Sequence, residues 1–188
     1  MSFNIAIDGP AGAGKSTIAK KIAKELGFVY VDTGAMYRAM ALYFLRSNIS
    51  NEDEQAISRA SENVEITIQY ENGEQQVFLN GENVNSKIRT EEVGQMASKS
   101  AAVPQVRSWL IDLQRGLAVT QDVIMDGRDI GTCVLPQATV KIYLTASANV
   151  RAKRRYDEYR AKGMDCDYEE ILNLSLIHIS EPTRLGMI

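Results

Sequence analysis

Cysteine and histidine are scarce in this 188-residue chain, which has two cysteines and one histidine. Cys133 and Cys166 have neither the number nor the close spacing of a disulfide framework or a zinc site, so we expect idle thiols in a reducing compartment. His178 gives no reason to assign it a catalytic role. The chain is therefore not a small disulfide-stabilised domain, and a cysteine-based metal centre is excluded.

Long apolar runs and an excess of basic residues are also absent. No stretch approaches the roughly 20 residues of a transmembrane helix, and residues 1–8 lack the basic flank and cleavage site of a signal peptide. A formal net charge of -3 argues against general affinity for nucleic acid or anionic membranes. With 45% hydrophobic residues, we expect one soluble cytoplasmic domain, and a monomer because nothing suggests an obligate partner.

Strand and helix patterns alternate at the start of the chain. Apolar runs at Phe3–Asp8 and Phe28–Val31 predict strands, whereas helical spacing at Lys15–Leu26 and Ala35–Leu45 predicts helices. Gly27 is placed to end the first helix. This order is typical of an α/β fold with a parallel sheet wrapped on both faces.

The pattern changes in the middle of the chain. Val64–Tyr70 and Gln76–Leu79 alternate with period two around an Asn-Gly pair, which predicts a β-hairpin. Because hairpins do not belong inside a parallel series, we interpret this part as an insertion that covers the site. The later patterns predict helices at Glu91–Ala102 and Gln105–Val119, buried parallel strands at Val123–Asp126 and Val140–Leu144, and a basic helix at Ser147–Lys162.

The strongest functional signal is the segment G-P-A-G-A-G-K-S, which matches the phosphate-binding pattern G-x-x-x-x-G-K-[ST] between a strand and a helix. The backbone N–H groups of such a loop and the positive end of the following helix bind nucleotide phosphates. Lys15 is expected to reach the β- and γ-phosphates of ATP, Ser16 the Mg²⁺ ion, and Thr17 the region of the α-phosphate. A glycine-rich turn that binds nothing is the alternative. The predicted nucleotide-binding residues are Gly9, Pro10, Ala11, Gly12, Ala13, Gly14, Lys15, Ser16 and Thr17.

A second motif, D-T-G-A-M-Y-R, follows the second predicted strand. An open parallel sheet presents loops at that point to its ligand crevice, so Arg38 could grip an acceptor phosphate. Taken alone, the motif is better explained by a helix N-cap at Asp32 or Thr33 and an exposed arginine. The motif therefore gains functional meaning only beside the P-loop.

A third motif, V-I-M-D-G-R-D, is an apolar strand that ends in an acid, which is typical of a Walker B element. Asp126 would then lie near the metal and its waters. Arg128 and Asp129 follow at the carboxyl edge of the strand, where one could bind phosphate and the other accept hydrogen bonds from a base or sugar. Without the P-loop, a polar turn would be the better interpretation.

Taken together, G-P-A-G-A-G-K-S-T, D-T-G-A-M-Y-R, I-R-T-E-E-V and D-G-R-D-I-G-T resemble, in order and spacing, the bacterial cytidylate kinases, a family of P-loop nucleoside monophosphate kinases. The resemblance runs from Phe3 to about Leu172. It implies the three-layer P-loop fold, with an insertion that binds the monophosphate and a mobile lid. The implied division is a core of residues 1–59 and 103–147, an insertion of about 60–102, and a lid of about 148–168.

The resemblance also implies the acceptor contacts. Thr33 and Arg38 would contact the phosphate side of CMP, and two residues from the helices after the hairpin, Ser98 and Arg107, would join them. The remaining two contacts, which would read the cytidine, are Arg128 and Asp129.

The basic segment of the lid is the last element that the resemblance identifies. It comprises Arg151, Arg154 and Arg155, and a lid arginine stabilises charge on the transferring phosphoryl group. A solvated basic helix is an equally good interpretation of any one of the three. The implied catalytic residues are Lys15, Arg128, Arg151 and Arg155, and the implied metal contacts are Ser16 and, through water, Asp126.

The chain departs from the family pattern after Leu172. The family continues with R-D-x-x-D-x-x-R, a P-L motif, a strand and a closing helix, whereas His178, Pro182 and Leu185 stand here in place of arginine, aspartate and arginine. Our hypothesis is that residues 174–188 are a foreign ending, which would impair turnover while ATP binding is partly retained. A complete gene that encodes the same ending would contradict this hypothesis.

These inferences predict an enzyme of pyrimidine nucleotide metabolism that transfers the γ-phosphoryl group of ATP to CMP or dCMP, giving CDP or dCDP with ADP. No catalytic base is expected, because an acceptor phosphate is already a nucleophile and catalysis is mostly positioning and charge neutralisation. The alternatives are a kinase for another small acceptor, such as adenylate, uridylate or shikimate, and a protein that binds nucleotide without turnover. The hairpin insertion and D-G-R-D favour cytidylate.

Overall fold

The structure is a computed structural model that describes residues 2–161 and 163–177. Parallel strands alternate with helices at both ends of this part, and antiparallel strands lie between them. The predicted α/β fold with a parallel sheet is therefore confirmed. In chain order the elements are β1 Asn4–Asp8, α1 Lys15–Leu26, β2 Val29–Asp32, α2 Thr33–Arg46, α3 Glu54–Ser61, β3 Ile66–Glu71, β4 Glu74–Leu79, β5 Glu82–Asn83, α4 Glu91–Ser100, α5 Pro104–Thr120, β6 Val123–Gly127, a π-helix Ile130–Val134, β7 Val140–Tyr143, α6 Ala148–Ala161 and α7 Tyr168–Ile177.

The core sheet has four parallel strands in the order β2-β6-β1-β7. The central strands β1 and β6 are apolar and buried, as continuous runs in a covered parallel sheet should be. β7 is parallel as predicted, but the prediction that it is buried is wrong, because all four of its residues are exposed. It pairs with β1 on one side, and within residues 2–161 and 163–177 no strand pairs with its other side.

Helices α1 and α2 begin and end where local chemistry allows. α1 covers the predicted residues and ends before Gly27. The φ of Gly27 is 70°, a left-handed conformation that is incompatible with a continuing α-helix. α2 begins earlier than predicted because the carboxylate of Asp32 caps it, accepting the backbone N–H of Ala35 at 3.0 Å. Its inner face packs into the main core through three fully buried side chains, those of Met36, Met40 and Phe44.

The predicted hairpin forms from β3 and β4, which pair antiparallel. Asn72 and Gly73 both have positive φ, 53° and 78°, as a two-residue type I′ turn requires. The hairpin docks on the edge of the core sheet through Gln75. Its side-chain amide pairs with both backbone groups of Asp32, accepting from the N–H at 2.8 Å and donating to the carbonyl at 3.2 Å. The side chain of Gln75 thus makes the two hydrogen bonds that a neighbouring strand would make to Asp32, and it fixes the insertion to β2.

Four elements were not predicted from the sequence: α3, the two-residue strand β5, the π-helix Ile130–Val134 and α7. α3 has eight residues, and only one of its apolar side chains, Ile57, is fully buried, so no helical period is visible. Its N-cap is Asp53, whose carboxylate accepts the N–H of Ala56 at 2.9 Å.

The last part of the described chain is helical. α6 agrees with the predicted basic helix to within a residue, and α7 continues to Ile177. His178, Pro182 and Leu185 lie outside the described residues, as does most of the segment 174–188, so the hypothesis of a foreign ending stays a proposal, as do the proposed domain boundaries. Among the described residues, no helix combines the length and apolar character needed to cross a bilayer.

Candidate active site

The carboxyl ends of three neighbouring strands bring acidic residues together. In the parallel register, Asp32 of β2 lies beside Asp126 of β6, and Asp8 of β1 lies beside Gly127. Asp8 and Asp126 are buried, with 9% and 4% of their surface exposed. Ligands of open parallel sheets bind beyond this edge, so the predicted P-loop and Walker B motifs meet where a nucleotide is expected.

The predicted phosphate-binding loop connects β1 to α1. It turns back on itself, because the N–H of Ala13 donates to the carbonyl of Pro10 at 3.3 Å. The loop ends at Gly14, whose φ is 96°, and among the described residues no side chain caps the helix that follows. The first N–H groups of α1 and its positive dipole end therefore face the loop, an arrangement that favours a bound phosphate.

Lys15 is folded back over this loop, where its Nζ donates to the carbonyl of Pro10 at 3.0 Å. Burial lowers the pKa of Lys15, the carboxylate of Asp126 opposes this shift, and the positive charge of Arg128 adds to it. The ammonium group therefore lies within electrostatic reach of both the Walker B acid and the D-G-R-D loop. We expect a nucleotide phosphate to replace the Pro10 carbonyl as its partner.

Asp126 occupies the Walker B position and accepts two side-chain hydrogen bonds. The hydroxyl of Ser16 donates to its Oδ2 at 2.8 Å, and the hydroxyl of Tyr30 donates to its Oδ1 at 2.9 Å. Burial raises the pKa of Asp126 and the nearby charge of Asp32 raises it further, while the two hydroxyls and Lys15 oppose these effects. Two neutral hydroxyl groups thus hold the carboxylate in place, but neither neutralises its negative charge.

Replacing Asp126 with asparagine should change how stability depends on pH. The pKa of Asp126 is raised in the folded state above the value of about 3.9 in an unfolded chain. Between these two values the folded state binds more protons, so wild-type stability falls as the pH rises through that window. Asparagine does not titrate, so the stability of Asp126→Asn relative to wild type should increase as the pH rises above about 4. Urea unfolding of both proteins across this range measures the difference, and a constant difference would contradict the raised pKa.

Two arginines, Arg38 in α2 and Arg89 just before α4, lie within electrostatic reach of each other. Arg89 pairs with Asp32 at 2.7 Å. Arg38 is half-buried, and its pKa is lowered by burial and further by the charge of Arg89, whereas Asp32 raises it. Arg155 also lowers the pKa of Arg38 and Glu158 raises it, so three guanidinium groups act here against two carboxylates, and the net positive charge suits a phosphate dianion. Beside them, the hydroxyl of the buried Thr33 donates to the backbone carbonyl of Asp126 at 2.7 Å.

A second ion pair joins Arg107, predicted beside the contacts of the CMP phosphate, to Asp129, predicted to read the cytidine. Arg107 of α5 donates to the carboxylate of Asp129, and both side chains are about one third exposed, at 35% and 30%. Tyr37 lies close to this pair: burial raises the pKa of its hydroxyl, and the charge of Arg107 opposes that shift. The structure therefore brings Arg107 and Asp129 together, while Ser98 lies exposed on α4.

The arginines of α6 are placed differently from one another. Arg154 donates to the carbonyl of Gly12 in the P-loop at 3.0 Å. Arg155 stacks on the ring of Tyr159, and its charge contributes to lowering the pKa of Arg38. Arg151 was expected to stabilise the transferring phosphoryl group, but only 3% of its surface is exposed and its guanidinium donates to the carbonyl of Ser175 in α7 at 2.8 Å. Its Nε donates to the carbonyl of Ala146 at 3.2 Å, so its buried charge is satisfied by backbone carbonyls before α6 and in α7.

Sequence reasoning missed three residues of the site, Asp8, Tyr30 and Arg89. Asp8 could have been found, because an acid that ends a buried strand directly before a P-loop must satisfy its charge there. Arg89 belongs to the motif I-R-T-E-E-V, in which no single residue suggested a role. Tyr30 carries no local signal, since its partner Asp126 lies 96 residues away.

A parallel sheet with a P-loop, a Walker B acid and a facing cluster of arginines defines a P-loop phosphotransferase of the nucleoside monophosphate kinase class. The family model described as cytidylate kinase matches residues 5–177. The chain belongs to the cytidylate kinase family.

Curated relatives agree with this assignment. The chain is 52% identical over 172 residues to a cytidylate kinase from Caldanaerobacter subterraneus, an alignment that covers 92% of this chain and 75% of the relative. It is also 52% identical to the cytidylate kinases of Caldicellulosiruptor bescii, covering 91% and 76% of the two chains, and of Carboxydothermus hydrogenoformans, covering 90% and 76%.

Proposed function

We propose that this chain transfers the γ-phosphoryl group of ATP to CMP, giving CDP and ADP, and that dCMP is also an acceptor. One observation carries the proposal: a single loop connects the donor and acceptor sides. Arg128 acts electrostatically on Lys15 of the P-loop, and its neighbour Asp129 pairs with Arg107. Two substrates bound on either side of Arg128 would have their phosphates adjacent, as in-line transfer requires.

The donor side fits a nucleotide with Mg²⁺. Ser16 and Asp126 offer two oxygen atoms 2.8 Å apart, and oxygen is the ligand that Mg²⁺ prefers. The hydroxyl of Ser16 would bind the ion directly and Asp126 would bind one of its waters. The ion would supply positive charge that neutralises the nucleotide's phosphates. Thr17 follows Ser16 and lies exposed, where the α-phosphate region would be.

The acceptor side fits a nucleoside monophosphate. Arg38 and Arg89 would hold the phosphate, with Arg89 exchanging its bond to Asp32 for one to the phosphate. The Arg107–Asp129 pair presents a donor and an acceptor group next to each other, which is the pattern needed to read the polar edge of a base. Ser98 would complete this pocket from α4.

The reaction needs charge neutralisation more than proton transfer. The acceptor phosphate is itself the nucleophile, so no side chain has to remove a proton. Lys15 and Arg128 would stabilise the charge on the transferring phosphoryl group, and the arginines of α6 would add to it when that helix approaches. Arg154 already touches the P-loop and Arg155 lies within electrostatic reach of Arg38, so these two fit this role better than the buried Arg151.

An ADP-release assay on the purified chain tests the proposal. With ATP and Mg²⁺ present, release should be faster with CMP or dCMP than with UMP or AMP, and slow without any acceptor. Faster release with UMP or AMP would assign a different acceptor. Binding of ATP without release for any acceptor would show that the chain binds nucleotide but does not turn it over.

A further inference from the structure

The carboxylate of Asp8 binds the backbone of the segment that follows β6. This segment, residues 128–134, carries Arg128 and Asp129 and is called the acceptor loop below. The Oδ1 of Asp8 accepts the N–H of Ile130 at 2.6 Å, and its Oδ2 accepts the N–H of Gly131 at 2.8 Å. Both hydrogen bonds are buried, and they join residues more than a hundred positions apart in the sequence. A carboxylate that is out of water and accepts two N–H groups is among the stronger contacts a loop can have.

The segment held by Asp8 has an unusual conformation. Ile130–Val134 forms a π-helix, in which the N–H of Leu135 donates to the carbonyl of Ile130. Such turns are rare and occur mostly at functional sites. Ile130 and Gly131 supply the first N–H groups of this turn, which have no partner within it, so the carboxylate of Asp8 satisfies them. The two residues directly before the turn are Arg128 and Asp129.

The backbone of Gly131 and the carboxylate of Asp8 are in close contact. A Cβ atom on Gly131 would lie 3.3 Å from Oδ2 of Asp8, so the backbone approaches the carboxylate closely. The other end of Asp8 is fixed as well, because its carbonyl accepts the N–H of Leu144 at 2.7 Å. Asp8 thus joins the strand that begins the P-loop to the loop that faces the acceptor.

We infer that Asp8 is the positioning residue of the acceptor loop: by holding the N–H groups of Ile130 and Gly131 it sets the places of Arg128 and Asp129, and thereby the affinity for CMP. The inference rests on the proposed function. Asp8 itself contacts neither substrate. Its removal should therefore weaken CMP binding while the P-loop keeps its sequence and its helix.

Electrostatics alone would weaken the binding of neither anionic nucleotide, so a loss confined to CMP has to come from the position of the loop. The negative charge of Asp8 raises the pKa of Lys15, so the two groups are within electrostatic reach. Replacing Asp8 with a neutral residue makes the surroundings of the P-loop more positive, which does not weaken the attraction for ATP. A general loss of structure would instead weaken the binding of both nucleotides. The change in CMP affinity divided by the change in ATP affinity therefore distinguishes a positioning role of Asp8 from a merely structural one.

The test uses Asp8→Asn in the full chain. Asparagine keeps the shape but can accept only through one oxygen, and its amide group would oppose the second N–H. The KM for CMP and the dissociation constant of CMP, measured by titration calorimetry, should rise about tenfold or more. The dissociation constant of ATP should not rise by more than about twofold. Asp8→Glu keeps the charge and both acceptor oxygens, so it should recover part of the CMP affinity.

Asp122→Asn is the matched control. Asp122 also accepts a backbone N–H, that of Phe3 at 2.6 Å, but at the opposite end of β1. It should leave both dissociation constants unchanged. Equal weakening of CMP and ATP by Asp8→Asn, or no weakening of CMP, would overturn the inference. If Asp8→Asn does not fold, the same comparison with Asp8→Glu decides: a weakening confined to CMP supports the inference, and its absence overturns it. A wild-type chain that never phosphorylates CMP would instead refute the proposed function.

Discussion

Replacing Lys15 with methionine should lower the turnover number for CMP phosphorylation on the order of 10³-fold, close to the largest effects known for one preorganised donor. Methionine keeps the length and apolar stem of the side chain but removes its charge. The ammonium group of Lys15 lies within electrostatic reach of both Asp126 and Arg128, beside the loop expected to bind the β- and γ-phosphates. Because its pKa is lowered by burial, the ammonium is poorly solvated and interacts strongly with an incoming phosphate.

The measurement is the rate of ADP release at saturating ATP and CMP, together with ATP affinity. Lys24→Met is a suitable control, because Lys24 lies exposed in the last turn of the same helix. The control should keep nearly all activity. If Lys15→Met retained more than about a tenth of wild-type turnover, Lys15 would not be the residue that neutralises the transferred group.

Elements whose signal is local could be predicted from the sequence. The P-loop, α1 and the hairpin each have a short pattern that determines their conformation: glycines at positive φ, an apolar stripe, and an Asn-Gly turn. α3 could not be predicted because its burial depends on partners elsewhere in the chain, with Ile57 packed into the main core. β7 reads as a buried strand because Val140 and Ile142 are apolar. Whether a strand is buried depends on its neighbours in the sheet, which its own sequence does not state.

In the site, too, residues with a local sequence signal could be predicted and residues that depend on distant partners could not. Lys15, Ser16 and Asp126 were found from motifs, because phosphate and Mg²⁺ binding need these residue types at these positions. Arg151 and Arg154 could not be told apart from their sequence, since both belong to one basic helix. They differ because α7 packs on α6, and there the guanidinium of Arg151 donates a hydrogen bond to the carbonyl of Ser175. The place of Asp8 before the P-loop signals a buried acid, but its partners, two backbone N–H groups, cannot be identified from the sequence.

Replacing Gly9 with alanine should lower the free energy of unfolding by about 3 kcal/mol or more. Gly9 has a φ of 144°, which side chains rarely adopt, and a Cβ atom at this position would lie 2.0 Å from the carbonyl oxygen of Leu144. Leu144 cannot easily move, because its N–H donates to the carbonyl of Asp8 at 2.7 Å. The backbone must therefore shift where the P-loop begins, and phosphate binding should fail together with stability.

Gly27→Ala separates the steric clash from the backbone strain. Gly27 also has a positive φ, 70°, but among the described residues no atom lies within 4 Å of a Cβ placed there. Its replacement should cost only about 1 kcal/mol. For a chain of this length the two variants should lower the melting temperature by roughly 6–12 °C for Gly9→Ala and roughly 2–4 °C for Gly27→Ala. Equal shifts would mean that the loop yields to the extra methyl group, and that contact with Leu144 does not hold the phosphate-binding loop in place.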